Sequence, residues 1–354
     1  MTRTVLPRPT LLPGLARVWR DRHTLQLGLD PARAVLLEVA NPAAARLLDL
    51  LDGSRSERVV LDQAVTLNVS RDDARTLIDT LRAAGLVVAA HTLLPHDLPE
   101  PARQRLSAEA TALALRGPDL PGTPAQLLRR RAGARILVTG HGRLAAPVAV
   151  ALAQAGVGHV SPDLPGRVTP VDAAGGGLLA GDVRRPRAEA VADAIARSAP
   201  GTVTRPVQRG RADLVVQAGA DRPAGLLAAG YAQRRQAHLL LGVRDGTPVI
   251  GPLVRATAGP CLNCLDLHRR DRDPGWPQVA AQLAVGDPAE PCTTPTLLAA
   301  VGYAVHEVLA FLDGAQPETL GGTVEIDGPG RVRRRSWSPH PGCDCGRRQR
   351  ARRR

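Results

Sequence analysis

Short apolar stretches predict strands at both ends of residues 11–90. Leu25–Leu29 and Ala34–Glu38 have the length and aliphatic content of strands, and a turn-forming Asp30 lies between them. Leu86–Val88 repeats this character at the end of the segment. Between these strands the apolar residues change from strand-like to helical spacing, so the segment predicts a mixed unit.

Three helices are predicted within this unit. Asn41 begins the first as its N-cap, and a second short helix follows over Arg58–Leu67. Ser70 caps the third. The third helix carries an apolar stripe on one face: Ala74, Leu77, Ile78, Leu81 and Ala84. Strands, helices and a returning strand together predict a winged-helix-like domain over residues 1–92.

The pattern changes twice in the rest of the chain. Residues 93–131 are rich in Pro and Arg and predict a linker with one helix, Ala108–Leu115. From residue 132 to 346, strands and helices alternate, which predicts a doubly wound, mostly parallel α/β sheet. The predicted strands are Arg135–Val138, Gly158–Ser161, Asp213–Gln217, Leu239–Val243, Pro248–Val254 and a final pair from Gly322. The predicted helices are Ala146–Ala155, Ala188–Arg197 and Thr296–Leu312.

The positive charge of the chain is concentrated at its end. The formal net charge is +13, yet residues 1–100 hold 12 Arg against 12 acidic residues. Residues 331–354 hold 10 Arg against one acid, and residues 347–354 form an Arg-rich tail. We interpret the tail as a solvated segment, with an electrostatic contact to an acidic partner as the alternative. Aromatic residues make up only 2% and do not interleave with the arginines, so nucleic-acid binding is not favoured.

The sequence predicts a cytoplasmic protein. No apolar run reaches the ~18–20 residues that span a bilayer, and prolines and charges replace the apolar stretch of a signal peptide. In a reducing compartment, closely spaced cysteines favour metal binding over disulfides.

Four of the five cysteines form two close pairs. Cys261 and Cys264 are spaced C-x-x-C, and Cys343 and Cys345 are spaced C-x-C after a gap of 78 residues. Such pairs can surround a tetrahedral Zn²⁺, so we predict a structural zinc site; unrelated thiols or a redox pair are the alternatives. His268 and His340 lie nearby, but four thiolates already complete the tetrahedron. The remaining cysteine stands apart from both pairs.

A glycine loop follows the first strand of the α/β region. In ILVTGHGRLAAPVAVALAQAGVGHV, Gly140 permits a tight turn and Gly142 lets a phosphate approach the backbone, while Ala145 takes the third glycine position. This pattern predicts a nucleotide site, and a turn without any ligand is the alternative.

Residues 134–345 resemble the ThiF/MoeB-type (ubiquitin-activating-like) adenylyltransferase family. The similar segments include the glycine loop, VIGPLVRATAGPCLNCLDLHRRDRD and HPGCDC. The resemblance implies a Rossmann-type fold, a homodimer and a structural zinc on the four paired cysteines. It also suggests a thioester role for Cys292, whose position before a helix could lower its thiol pKa; a structural cysteine is the alternative.

The ATP chemistry of that family transfers poorly to this chain. The acid that ends the second strand is displaced to Asp163, and DLVVQAGAD places Gln217 and Ala220 where acids are expected. Arg187 replaces a family lysine. We therefore predict a degenerate nucleotide site at Gly140, Gly142 and Arg187, without catalytic residues and with ATP binding left open.

Residues 11–90 resemble the PqqD-like peptide-recognition element of ribosomal-peptide biosynthesis, through LPGLARVWRDRHTLQLGLDPARAVLLEV and the helices after it. The resemblance implies that a precursor's leader peptide adds a strand beside Val35, Leu36 and Leu37, along the helix 71–82 that carries Arg75. A plain winged helix that only packs on its neighbour is the alternative.

Together the two resemblances imply a function in azoline formation. The chain would be an adaptor that binds the leader and presents the precursor to a YcaO-like ATP-dependent cyclodehydratase. An adenylyltransferase that activates a peptide or carrier-protein C-terminus is the alternative. A zinc-stabilised interaction domain without a small ligand is the third hypothesis.

Overall fold

The computed structural model describes residues 5–39, 42–117, 120–207, 211–219, 223–255, 259–283 and 290–345. Asn41, Ala220 and the tail 347–354 lie outside these residues. The chain divides into two compact units, Met1–Arg129 and Arg130–Arg354.

The first unit contains two small antiparallel sheets and a set of helices. Its elements are β1 (Pro9–Leu11), β2 (Arg17–Trp19), β3 (Thr24–Leu27), β4 (Val35–Glu38), a 3₁₀ helix (Pro42–Leu50), α1 (Glu57–Thr66), α2 (Arg71–Ala83), β5 (Val87–Ala89), α3 (Ala90–Leu93) and α4 (Glu100–Leu115). Helix α5 (Pro124–Gly133) crosses into the second unit. Strands β2, β3 and β4 form one sheet in that order, and β1 pairs with β5.

Capping and one apolar face explain α2. The Ser70 hydroxyl accepts a hydrogen bond from the Asp73 N–H at 3.0 Å, which satisfies one of the unpaired donors at the helix start. Ala74, Ile78 and Leu81 are fully buried. The predicted N-cap is confirmed, and so are these three residues of the predicted stripe. Leu77 is only half-buried and Ala84, the C-cap, is exposed, so the buried stripe is narrower than predicted.

Residues 93–131 contain more helix than the single segment predicted from the sequence. Helix α4 begins at Glu100, well before the predicted start at residue 108, and carries Pro101 in its first turn. Proline is tolerated there because the first helical N–H groups have no intrahelical acceptor. The helices of this segment bury a common cluster that includes Leu93, Leu106, Leu113, Leu127 and Leu128.

The second unit is built around one mixed seven-stranded sheet. Its strands are β6 (Arg135–Gly140), β7 (His159–Asp163), β8 (Leu214–Ala218), β9 (His238–Arg244), β10 (Thr247–Val254), β11 (Gly322–Gly328) and β12 (Arg331–Ser336). Its helices are α6 (Ala145–Gln154), α7 (Pro170–Ala173), a 3₁₀ turn (Ala180–Asp182), α8 (Arg187–Ser198), α9 (Ala224–Gln233), α10 (Leu262–Arg272), α11 (Trp276–Leu283) and α12 (Thr294–Asp313). The strand order is β12-β11-β10-β9-β8-β6-β7.

The sheet is half parallel, so the prediction of a mostly parallel sheet was wrong in this respect. Strands β7, β6, β8 and β9 pair in parallel, and β9 to β12 pair antiparallel. The change occurs at Asp245 and Gly246, which both have positive φ (49° and 87°) and form a two-residue hairpin loop. Asp-Gly is the preferred pair for such a turn, because both positions must accept φ above zero.

Helix α12 is the one described helix that is long and apolar enough to cross a membrane, by length and composition alone. Half of its apolar window is buried within the protein. Leu297, Ala300, Ala304 and Val308 belong to the core cluster that includes residues of the parallel strands. These contacts explain its apolar composition as that of a helix covering a sheet.

Candidate functional site

The four paired cysteines lie together at the start of α10 and near the end of the described chain. The Sγ atom of Cys261 is 3.8 Å from Cys264 and 3.6 Å from Cys343, and Cys264 is 3.3 Å from Cys345. A tetrahedral Zn²⁺ with Zn–S bonds of ~2.3 Å separates its sulfurs by roughly 3.8 Å. The separations are too long for disulfide bonds and close to those of a four-thiolate metal site.

The charge of the cluster also fits a cation. A hydrogen bond from Cys261 lowers the pKa of Cys264 to about 4, while burial and the neighbouring sulfurs raise the pKa of Cys345 to about 12. The pKa of Cys261 is raised as well, first by its hydrogen bond to Cys264. These directions leave Cys264 as the favoured thiolate, and a divalent cation among the sulfurs would stabilise the thiolate form of its neighbours too. The four cysteines would hold that ion as a structural centre.

The two histidines near the cysteines already have partners. His340 pairs through Nε2 with Asp271 at 2.7 Å and accepts from the Gly342 N–H at Nδ1, which assigns the proton to Nε2. His268 contacts the Ser338 carbonyl at 2.9 Å. Both rings therefore hold the cysteine-bearing segment against α10, which helps to keep the four sulfurs together.

The glycine loop is filled by a carboxylate of the chain itself. The Glu290 Oε2 atom accepts a hydrogen bond from the Arg143 N–H at 2.7 Å, and the Val243 N–H donates to the same carboxylate. Gly142 has φ +105°, and a Cβ on it would lie 2.5 Å from Glu290 Oε2. The space that Gly142 leaves beside the backbone is therefore taken by an anion, in the place where the sequence predicts a phosphate.

Burial raises the pKa of Glu290 despite its two N–H donors. Cys292 follows it in the chain, and burial raises its thiol pKa too, although the nearby Arg143 acts in the opposite direction. The expectation that the following helix lowers the pKa of Cys292 was therefore wrong, because burial has the larger effect.

Removing the Glu290 side chain is expected to strengthen nucleotide binding. In the Glu290→Ala variant, the Arg143 N–H loses its carboxylate partner and a phosphate meets less negative charge, so we expect ATP to bind about tenfold more tightly than to the unmodified protein. Titration with a fluorescent ATP analogue measures the change. The exposed Glu189→Ala variant is the control, and equal affinities in all three proteins would contradict this role.

Other residues predicted for a nucleotide site are distributed differently. Asp163 ends β7 and accepts a hydrogen bond from the Thr139 hydroxyl at 3.1 Å, so it stands at the strand end and is not displaced. Gln217 is buried, with its Oε1 accepting from the Tyr231 hydroxyl at 2.8 Å. Arg187 donates to the Pro165 and Arg167 carbonyls and to Asp172.

These positions leave few groups free to bind a nucleotide or its metal ion. Gln217 offers Mg²⁺ no charged ligand at the end of β8, and the Arg187 guanidinium is engaged in holding its own loop. Gly140 is required by the close approach of two backbone segments, because a Cβ there would lie 2.0 Å from the Ala218 carbonyl oxygen. Its lack of a side chain is thus explained without a ligand.

A second candidate site is a groove in the first unit between β4 and α2. It encloses about 910 Å³. We call it the β4–α2 groove and define it by its lining residues: Arg20, Asp21, Thr24, Leu25, Leu36, Leu37, Glu38, Val39, Ala45, Leu48, Asn68, Val69, Asp73, Thr76, Leu77 and Thr80. From α2 it takes positions 73, 76, 77 and 80, the helix face beside the buried stripe.

Strand β4 presents a free edge to this groove. It is the last strand of its sheet, and the Val39 N–H donates to the His23 carbonyl at 2.6 Å on the β3 side. Because bonding alternates along an antiparallel strand, the N–H and C=O groups of Leu36 and Glu38 point away from β3. Leu36 is also 50% exposed. This edge can pair with an added strand.

The groove combines an apolar floor with an acidic rim. Leu25, Leu37 and Leu48 are buried beneath it, whereas Asp21, Glu38 and Asp73 stand exposed around it. Arg20 is the one arginine in the lining. The surface therefore suits an extended peptide with apolar side chains and positive rather than negative charge.

The structure brings three of the four predicted peptide-binding residues to one strand. Val35, Leu36 and Leu37 lie on β4, and the last two line the groove. Arg75 instead pairs with Asp72 at 2.7 Å on another face of α2. The α2 positions that line the groove, including Leu77, follow in hindsight from their i, i+3, i+4 spacing next to the buried stripe.

A mixed seven-stranded sheet with a glycine loop and a four-cysteine cluster is consistent with a Rossmann-like fold of the ThiF type. Solved structures of E. coli MccB share the fold of this chain. The MccB complex with ATP has a TM-score of 0.62 at 14% sequence identity, over 95% of this chain and 99% of that one. MccB with N-formylated MccA, described as a microcin C7 biosynthetic enzyme, gives 0.61 at 14% identity, over 95% and 99%.

A third structure, PaaA, has a TM-score of 0.62 at 14% identity and covers 92% of this chain and 98% of that one. The matches extend over both units, because they cover more than nine-tenths of the chain. No protein-family model and no curated protein matches the sequence.

Proposed function

We propose that this protein is a leader-peptide-binding adaptor in ribosomal-peptide biosynthesis. In this proposal the leader adds a strand to β4 in the β4–α2 groove, and the protein presents the precursor to a YcaO-like ATP-dependent cyclodehydratase. The observation that carries the proposal is the free β4 edge beside an apolar groove of about 910 Å³. Main-chain pairing would supply affinity and the groove would select side chains.

The structural neighbours support a peptide as the ligand. MccB has been crystallised with MccA, and it is described as a microcin biosynthetic enzyme. We propose by analogy that the present chain also works in peptide modification. Its first unit would be the recognition domain, with a PqqD-like, winged-helix-like character over residues 1–92. Residues 132–346 would then form the ThiF-like domain.

The glycine loop favours an adaptor over an autonomous enzyme. Glu290 occupies the anion position beside Gly142, and Gln217 offers Mg²⁺ no charge. Adenylation needs metal-bridged phosphates and stabilisation of charge at the reacting phosphate. We therefore assign the ATP-dependent step to the partner enzyme and a structural role to zinc. The protein would act in the cytoplasm, by default as a homodimer.

An ATP-dependent adenylyltransferase that activates a peptide or carrier-protein C-terminus is the second candidate. Asp163 at the end of β7 favours it, because an acid at this position holds the ribose in Rossmann-type sites. The ATP complex of MccB is consistent with it as well. Pyrophosphate exchange that depends on both ATP and the acyl substrate would identify this activity.

Fluorescence polarisation with labelled halves of the precursor encoded nearby tests the adaptor proposal. We expect saturable binding of the leader half and at least tenfold weaker binding of the core half, because strand addition requires the matching segment alone. A scrambled leader of equal charge is the control for electrostatic attraction. If the scrambled peptide bound as tightly as the leader, or if the leader did not bind, the proposal would be contradicted.

A further inference from the structure

Two arginines of the second unit border a small cavity with a mainly apolar lining. Arg244 ends β9 and Arg269 lies on α10, and both border a cavity of about 160 Å³. The rest of the lining is mainly apolar and includes Leu227, Leu240 and Ala280, with the Trp276 ring and one carboxylate, Asp266, beside them. A cavity of this order accepts a benzene-sized group, so it has room for one amino-acid side chain.

Within the described residues neither arginine forms an ion pair with a carboxylate, although the charges of Asp245, Asp266 and Glu325 act on them from a distance. The nearby Glu325 is bound by Arg333 at 2.8 Å and by Arg335 at 2.7 Å. Asp266 accepts from the Trp276 indole N–H at 2.6 Å. Neither carboxylate comes within ion-pair distance of Arg244 or Arg269, so two positive groups face the cleft.

Their surroundings make this charge unfavourable in the unliganded protein. Burial and then the charge of Arg244 lower the pKa of Arg269 to about 10, and burial also lowers the pKa of Arg244. The Arg269 guanidinium carbon lies 5.1 Å from the centre of the Trp276 ring, within the distance of a cation–π contact. Both side chains keep contact with solvent, so an incoming anion can reach them.

We propose that Arg244 and Arg269 bind the carboxylate of a ligand whose adjacent apolar side chain enters the cavity, as the carboxyl end of a peptide does. Paired guanidinium groups match a carboxylate through parallel N–H···O bonds, and a single apolar cavity beside them selects one side chain. Phosphate would meet the same charge but would leave the apolar cavity unused.

This inference deepens the proposed function by assigning a place to the carboxyl end of the peptide. It uses only residues of the second unit, whereas leader binding is assigned to the β4–α2 groove. A probe without leader sequence therefore tests it separately, and failure of one site leaves the other measurable.

Calorimetric titration of the full-length protein with N-acetyl-alanyl-leucine tests the proposal. We expect the free acid to bind at least tenfold more tightly than its C-terminal amide, and Arg244→Gln or Arg269→Gln to abolish this preference. Ala280→Phe fills the cavity and should therefore weaken binding of the free acid by a similar factor. The neighbouring exposed Arg270→Gln is the matched control and should bind as the unmodified protein does.

Thermal melting separates a binding role from a structural one. Removing an uncompensated charge from the cleft should leave the melting temperature of Arg269→Gln unchanged or raise it, as for residues kept for function at a cost in stability. Equal binding of acid and amide would overturn the proposal. So would inorganic phosphate binding as tightly as the acid, or a lower melting temperature of Arg269→Gln with unchanged binding.

Discussion

Replacing Cys264 by serine is expected to release a bound metal ion and to lower the melting temperature by about 10 °C or more. Cys264 is fully buried and its sulfur lies close to those of Cys261 and Cys345. Structural zinc sites of this kind contribute on the order of 10 kcal/mol to folding, because the site does not exist in the unfolded chain. A bound ion would also join α10 to a segment about 80 residues further along the chain.

Elemental analysis and differential scanning calorimetry of the purified protein measure both effects. We expect about one zinc per chain before the substitution and close to none after it. Cys292→Ser is the matched control, since its sulfur is not part of the cluster, and it should keep both metal and melting temperature. Retention of zinc and of thermal stability by Cys264→Ser would exclude the metal centre.

The cysteine cluster was predictable from the sequence because short spacers fix the geometry. One or two residues between cysteines let both sulfurs of a pair point at one centre, so each pair can be recognised locally. The meeting of the two pairs is non-local, but four thiols in two pairs leave few other arrangements. The structure brings all four within 4.8 Å of one another.

Glu290 shows why the glycine loop was predicted only in part. The strand, the turn and the helix around Gly140 and Gly142 are consecutive in the sequence, so their local geometry could be derived. Glu290 is 147 residues from Arg143, its hydrogen-bond donor, and belongs to no motif. A carboxylate that reaches the loop from so far along the chain is set by tertiary packing, which residue spacing does not encode.

In the mixed sheet, the positions of the strands were predictable from the sequence, but their directions were predicted only in part. Apolar stretches located most strands of the second unit, because a buried strand needs them whichever way it runs. The direction of a strand depends on the loop that connects it to the previous strand. Asp245-Gly246 is a residue pair typical of a two-residue hairpin, so it indicates that the next strand runs antiparallel. The helical content of residues 93–131 was underestimated because Pro101 suggests a loop, although a helix tolerates proline in its first turn.

Replacing Leu36 by proline is expected to weaken leader-peptide binding about 100-fold. The Leu36 N–H points away from β3, so proline removes a donor from the free edge of β4 without removing a bond inside the sheet. The leader would then lose the hydrogen bond from the residue 36 N–H, and its own carbonyl would be left without that donor. The proline ring would also clash with the added strand. These effects together cost about 2–3 kcal/mol. Fluorescence polarisation with the labelled leader measures the change.

Two further variants distinguish edge pairing from general damage to the unit. Leu36→Ala keeps the N–H and loses only apolar contact, so we expect a loss of less than tenfold. Trp19→Pro removes an outward N–H from β2, the opposite edge of the same sheet, and should bind the leader normally. If the leader bound at β2, Trp19→Pro would be the damaging change. If it contacted only the helix face at Leu77, Leu36→Pro and Leu36→Ala would have equal effects, and strand addition to β4 would be excluded.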